Sequence, residues 1–260
     1  MIAIDKLCYG SRLRYVNASE KTAFAVVTLL VCVAGRSLLI AGIVLGTMGI
    51  LTVGKGGIPF SRYVRLLLVP LGFLLLSTLA IMVNISTAPL DLFAVQVGSR
   101  YVTGSTEGMM RAVRLVATAL AGVSCLYFLS LSTPVTDILT VLEKWHCPGL
   151  LIELMLLIYR FIFVLLDIAA AISTAQDSRL GNRNFKTACH SFGILGAALF
   201  VRALKKSNAL YDAMEARCYD GRIRVLKEDY PPSGRIIAGI VIYEVLLVLL
   251  ALGGITGWKI

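Results

Sequence analysis

Residues 22–53 form an apolar stretch broken only by Arg36-Ser37. Drawn as one helix, the stretch is about 48 Å long at 1.5 Å per residue. That is well over the ~30 Å of a bilayer's hydrocarbon core. It therefore predicts a tight helical hairpin, with spans at about 22–35 and 38–53 and Arg36-Ser37 at the corner. Both arms are short, so Lys21 and Arg36 are expected to snorkel toward the headgroups. Lys21 precedes the pair and Lys55 follows it, which puts both ends of the hairpin on the cytoplasmic side.

The rest of the chain extends this pattern. Gly54-Lys55-Gly56-Gly57-Ile58-Pro59 reads as a turn. A third span follows at about 66–84, with Pro70 in its first turn, where a missing N–H costs least. Residues 85–108, with Asp91, Arg100 and Glu107, read as a polar loop. A fourth span covers about 109–131, and the last covers 236–258, with Trp258 and Lys259 as interfacial anchors. Only 15% of the residues are charged, against about 25% in a soluble domain, so much of the surface faces something other than water. The net charge of +10 then belongs to membrane-flanking loops and not to nucleic-acid binding. Residues 1–20 are mostly polar and carry no apolar signal segment, so the first span is expected to act as its own insertion signal.

Residues 150–171 would pass as a sixth span by hydropathy. Parity opposes this. Four spans return the chain inside at about residue 132, and 13 of the 25 basic residues lie in 132–235. A crossing at 150–171 would carry the most basic stretch outside, against the positive-inside rule. The run also contains Glu153, Arg160 and Asp167, each costing about 2.5–3.5 kcal/mol at the centre of a span. The sequence thus predicts an all-α integral membrane protein with about five transmembrane helices. Residues 1–131 hold four spans, 132–234 form a cytoplasmic domain of long amphipathic helices, and 235–260 hold the last transmembrane helix. Within the cytoplasmic domain, helices are expected at 133–145, from Gly149 to about Arg179, and from Lys186 or Ser191 to Arg217, with Pro148-Gly149, Leu180-Gly181-Asn182 and Asp220-Gly221 as their breaks.

No catalytic constellation is present: the sequence contains no GxxxxGK[ST], GxSxG or HExxH. The six cysteines are scattered singly and read as small buried residues. His146-Cys147 and Cys189-His190 do not have the spacing of a known zinc pattern. The methionines are too dispersed for a metal relay and read as core. Glu244, in the middle of the last span, is a candidate intramembrane polar site. Its structural reading is a carboxyl that is protonated or paired with Arg111 or Arg114. Asp212 and Glu215 read as a solvated face.

Two places look alike. Ser178-Arg179-Leu180 and Ala216-Arg217-Cys218 each put an arginine between small or apolar residues at a helix C-terminus. A cation there complements the helix dipole by about 0.3–1 kcal/mol, which is reason enough for one such site. Two on adjacent helices point further. Small neighbours permit close approach, and a guanidinium offers a bidentate, permanently charged contact to a partner's carboxylate.

These features carry a family resemblance over nearly the whole chain. Ile4-Asp5, Ser11-Arg12-Leu13-Arg14 and Glu20-Lys21 resemble the opening of the transmembrane T component of energy-coupling factor transporters, in its cobalt-type CbiQ branch. The stretch from Pro134 to Pro148, and Leu156-Leu157-Ile158-Tyr159-Arg160-Phe161-Ile162, resemble the entry to that family's coupling domain. Tyr211-Asp212-Ala213-Met214-Glu215-Ala216-Arg217-Cys218-Tyr219 is similar to its second Ala-Arg-Gly-type coupling motif, and Ser178-Arg179-Leu180 to the first. Ser178 departs from the commoner Ala, and Cys218 from Gly.

The resemblance implies a non-enzymatic subunit of the cell membrane that docks two cytoplasmic ABC-type ATPases, one arginine motif to each. It implies a membrane substrate-binding subunit as a further partner, which holds Co2+ or Ni2+. It also implies no cofactor in this chain, since the ATPases bind the ATP. The alternatives are the T component of a vitamin-type importer or a free-standing secondary transporter. The sequence offers the latter no inverted repeat.

Overall fold

The computed structural model describes residues 7–35, 37–82, 84–86, 93–97, 100–104, 106–221, 223 and 230–257, with the backbone alone at 79–107 and 254–257. Ile4-Asp5, the corner residue Arg36, Asp91 and the anchors Trp258 and Lys259 lie outside the described residues. The chain divides into two compact units. One is residues 139–228; the other is the chain up to 138 together with 229 onward.

The second of these is a bundle. After a 3-10 turn at Arg12–Tyr15 it contains α1 (Ala18–Gly35), α2 (Leu38–Ile50, prolonged by a π-helical turn Leu51–Lys55), α3 (Phe60–Met82), α4 (Thr106–Ser132) and α8 (Gly234–Gly257). The hairpin expected from the first apolar run is present as α1 and α2. Asn17 caps α1 by accepting the Ser19 N–H on its Oδ1 at 2.9 Å. The core is shared among α1, α2, α4 and α8: Phe24, Ala25 and Cys32 meet Ile40, Ala41, Val44 and Met48, then Ala121, Cys125 and Phe128, then Leu247. Many of these are small, which lets the helices approach closely where lipid supplies no hydrophobic drive. The Phe24 ring packs edge-on against Phe128 and Tyr243, with centroids 5.7 and 5.6 Å apart.

Large apolar side chains also point outward on every one of these helices. Leu39, Val69 and Phe73 are each over 70% exposed, which is what a lipid-facing surface requires.

Pro70 lies deep in α3 and not in its first turn, because the helix starts at Phe60 and carries Arg62 and Arg65 before the apolar run begins. An interior proline cannot donate to the carbonyl four residues back. That carbonyl belongs to Leu66, and the Tyr127 hydroxyl of α4 donates to it at 3.1 Å. Tyr63 and Ser124 join their hydroxyls at 2.7 Å across the same interface.

The expected polar loop at 85–108 is instead partly a three-stranded antiparallel sheet: β1 (Asn84–Ser86), β2 (Phe93–Val97) and β3 (Arg100–Gly104), in the order β1-β3-β2. Val95 pairs with Val102 and Gln96 with Tyr101. β-branched and aromatic residues favour such pairing even in a segment of polar composition.

The unit of 139–228 contains α6 (Gly149–Ser178) and α7 (Phe185–Glu215), preceded by α5 (Val135–Lys144), which straddles the division between units. No residue of α6 and only Ser191 of α7 is buried. By length and composition, seven described helices could cross a membrane: α1, α2 with its π turn, α3, α4, α6, α7 and α8.

Candidate functional site

The two arginine motifs have the same backbone. α6 ends at Ser178, and the Leu180 N–H then donates to the Asp177 carbonyl at 3.0 Å and the Gly181 N–H to the Gln176 carbonyl at 2.8 Å. α7 ends at Glu215, and the Cys218 N–H donates to the Glu215 carbonyl at 2.9 Å and the Tyr219 N–H to the Met214 carbonyl at 3.1 Å. Each is a Schellman turn, which satisfies the carbonyls a helix end leaves open. Leu180 and Cys218 occupy its left-handed position, at φ 58° in both. Glycine is the usual residue there, so each non-glycine residue carries roughly 1–2 kcal/mol of backbone strain.

Arg179 and Arg217 stand one residue before the left-handed position. Ser178, Arg179, Leu180, Ala216, Arg217 and Cys218 are all exposed, Leu180 by 67%. Each motif thus presents a cation on a turn whose backbone hydrogen bonds are already made.

The turns are braced differently. Gln176 donates its amide to the Ser191 carbonyl at 2.9 Å, and the Ser191 hydroxyl donates to the Gly181 carbonyl at 2.9 Å. This ties the first motif to α7. A Cβ on Gly181 would stand 2.8 Å from the Ser191 Oγ and 3.0 Å from the Gln176 carbonyl oxygen, so this close approach requires glycine. The second motif is tied to α6. The Tyr219 hydroxyl donates to the Glu153 Oε2 at 2.6 Å, and the Ile223 N–H donates to the Glu153 Oε1 at 3.1 Å. The bond to the carboxylate pushes the Tyr219 phenol above its ordinary range. Sequence reasoning weighed Glu153 only as a charge unsuited to a span; its partner is 66 residues away.

A third turn of this kind, which the sequence did not flag, closes α5. The His146 N–H donates to the Glu143 carbonyl and the Cys147 N–H to the Leu142 carbonyl, both at 3.1 Å, with φ 63° at His146. Trp145, 53% exposed, stands where the arginines stand in the other two. The turn itself is therefore the common helix stop of this part of the chain. The arginine is what sets the α6 and α7 ends apart.

Glu244 is buried in α8, but its partner is not Arg111 or Arg114. The Thr28 hydroxyl of α1 donates to its Oε1 at 2.5 Å, and its Oε2 has no hydrogen-bond partner among the described residues. Thr47 and Tyr243 join their hydroxyls at 2.7 Å nearby, tying α2 to α8. Lys21 does not snorkel. It is buried, and its Nζ donates to the Leu13 and Ser132 carbonyls, each at 2.9 Å.

Cys8, Cys32 and Cys125 are buried as expected, but Cys147 is half-buried, and Cys189 on α7 and Cys218 in the turn after it are exposed, against the reading of all six as buried residues. Among the described residues, no three His, Cys, Asp or Glu side chains gather to hold a metal ion.

Residues 11–227 match the sequence profile of CbiQ, a cobalt transport protein family. An uncharacterized protein of Methanocaldococcus jannaschii is 33% identical over 248 residues, which cover 95% of this chain and 92% of that one. The cobalt transport protein CbiQ of Rhodobacter capsulatus is 32% identical over 77% of this chain and 78% of its own. A putative fused cobalt transport protein CbiMQ of Methanocorpusculum labreanum is 31% identical over 87% of this chain and 38% of its own length.

Proposed function

We propose, from the premise that this chain belongs to the CbiQ family of cobalt transport proteins and is a multi-pass membrane protein, that it is the coupling subunit of an ATP-driven cobalt importer. In this reading Arg179 and Arg217 each enter a groove of one cytoplasmic ABC-type ATPase. The observation that carries it is the pair of equivalent, exposed arginine turns at the ends of α6 and α7. A guanidinium set on a pre-formed turn loses little freedom on docking, and a carboxylate in the groove receives it bidentately. ATP binding and hydrolysis then move the two ATPases, and the arginines transmit that motion to α6 and α7. The bundle tilts a separate membrane subunit, which holds the Co2+ cargo. A fusion in the relative from Methanocorpusculum labreanum, whose name joins CbiM to CbiQ, supports such a membrane partner.

Orientation follows the charge. One end of the bundle gathers the 3-10 turn, the α2–α3 connection, the end of α4 and the start of α8. The Ser11 hydroxyl reaches the Gly56 carbonyl at 3.1 Å, and Lys21 reaches Ser132. Arg12, Arg14, Lys21, Lys55, Arg62, Arg65 and Arg235 belong to this end, which supports a cytoplasmic placement. In this reading α6 and α7 are cytoplasmic and do not span. Arg160 and Asp167 in α6, and Arg202, Lys205 and Lys206 in α7, would each be costly in a bilayer.

Cys218 tests docking without any substitution in the second motif. Maleimide labels both exposed thiols, Cys189 and Cys218, in the isolated chain. In complex with the ATPase pair, Cys218 is protected and Cys189 still reacts. Equal labelling of Cys218 with and without the ATPases contradicts the docking.

A further inference from the structure

The chain leaves the bundle after residue 138 and returns to it at residue 229. Whatever moves the unit between these points pulls on both connections. The outgoing one runs from the end of α4 through Thr133 and Pro134 into α5. The returning one runs through Tyr230 and Ser233 into α8.

One turn at the start of α1 takes hold of both. Asn17, Glu20 and Lys21 stand at i, i+3 and i+4, which is one face of a helix. The Lys21 Nζ donates at 2.9 Å to the carbonyl of Ser132, the last residue of α4 before the outgoing connection. The Asn17 Nδ2 donates to the Tyr230 carbonyl at 2.7 Å, and the Glu20 Oε1 accepts the Ser233 N–H at 2.8 Å, both in the returning connection. The Tyr15 ring meets Tyr230 edge-on, with centroids 5.8 Å apart.

Glu20 and Lys21 are 9% and 4% exposed. Burying charged groups is costly, and apolar side chains of similar size hold helices together without that cost. The apolar core from Phe24 to Leu247 already does so here. What apolar packing does not supply is a directional grip on one backbone group, and a charged donor or acceptor makes that grip stronger than a neutral one. Both buried charges act on main-chain groups at the two connections. A free connecting segment absorbs a displacement by turning a few φ and ψ angles, as hinges do. A segment tied by its main chain passes the displacement on.

We infer, on the coupling role proposed above, that the first turn of α1 is the point where movement of residues 139–228 enters the bundle. Asn17, Glu20 and Lys21 are positioning residues that keep the two connections from yielding, and they touch neither the ATPases nor the metal.

The assembled transporter is reconstituted in liposomes, and Co2+ accumulated and ATP hydrolysed are measured together, with the ATPases that co-purify. Asn17→Asp keeps the cap on Ser19 and turns an oxygen toward the Tyr230 carbonyl; Glu20→Met removes the acceptor for Ser233. The double variant is expected to retain its ATPases and to hydrolyse ATP, while Co2+ moved per ATP falls roughly ten-fold, the size of one charge-assisted hydrogen bond expressed as a coupling. Glu20→Gln keeps a side-chain oxygen for Ser233 and is expected to keep the wild-type ratio. Should the double variant fail to fold, Asn17→Asp alone lowers the ratio by several-fold with the ATPases still bound. A merely structural role predicts less assembled complex with an unchanged ratio of Co2+ to ATP, and that result overturns the inference while the coupling role stands. Wild-type complex that moves no Co2+ on ATP hydrolysis overturns the coupling role itself and the inference with it.

Discussion

Leu180 and Cys218 share one backbone conformation, left-handed at φ 58°, and each follows an arginine at the end of a long helix. Neither residue suits that conformation. Cys218→Gly removes roughly 1–2 kcal/mol of strain and costs back about 0.5–1 kcal/mol in unfolded-chain entropy. A net gain of about 0.5–1 kcal/mol is expected in thermal unfolding of the detergent-solubilised protein. Cys218→Val puts a β-branched residue where it is a true outlier and lowers the midpoint. Gly181→Ala forces its Cβ against Ser191, breaks the Ser191 brace and lowers the midpoint as well.

Lys21→Met discriminates a buried clamp from a snorkelling side chain. A snorkelling lysine tolerates the change at almost no cost. Here the ammonium bridges Leu13 and Ser132, and its loss leaves the Ser132 carbonyl without that donor in a buried place. The Leu13 carbonyl keeps the Val16 N–H. A loss of about 1–3 kcal/mol is expected, read as the shift in unfolding midpoint against wild type.

The path of α6 is open to labelling. Cysteines are introduced singly at 172–176, near the end of the helix, in a background where Cys147, Cys189 and Cys218 are serine. An impermeant maleimide added from the external face is expected not to react at any of them, and to react after the membrane is opened. Labelling in intact cells would make α6 a span.

Much of the chain was legible because it is written locally. Pro148-Gly149, Leu180-Gly181 and Asp220-Gly221 punctuate helices that begin or end within a few residues of them. Arg36-Ser37 separates α1 from α2 for the same reason. The polar side chains that were misread all have long-range partners. Glu153 answers Tyr219 across 66 residues, Lys21 answers Ser132 across 111, and Glu244 answers Thr28 across 216. Periodicity reports which face of a helix is apolar, and it does not say what crosses over to meet a polar group on that face. Pro70 was misplaced because hydropathy starts a span at its first apolar residue, whereas α3 starts six residues earlier, at Phe60. The arginine motifs were visible as sequence, but their equality is a property of backbone geometry. Only the bond pattern shows that Leu180 and Cys218 fill one role.

The most direct test of coupling is metal-stimulated ATP turnover by the assembled complex carrying Arg179→Glu and Arg217→Glu together. Charge reversal turns each proposed ion pair into a repulsion, a change of about 2–5 kcal/mol where the pair is desolvated. Each single variant is expected to lower turnover and weaken co-purification of the ATPases. The double variant is expected to abolish both while remaining folded, its unfolding midpoint lowered only by the helix-dipole contribution of about 0.3–1 kcal/mol lost at each exposed arginine and a similar repulsion gained. Full metal-stimulated turnover and full ATPase co-purification in the double variant would contradict the account.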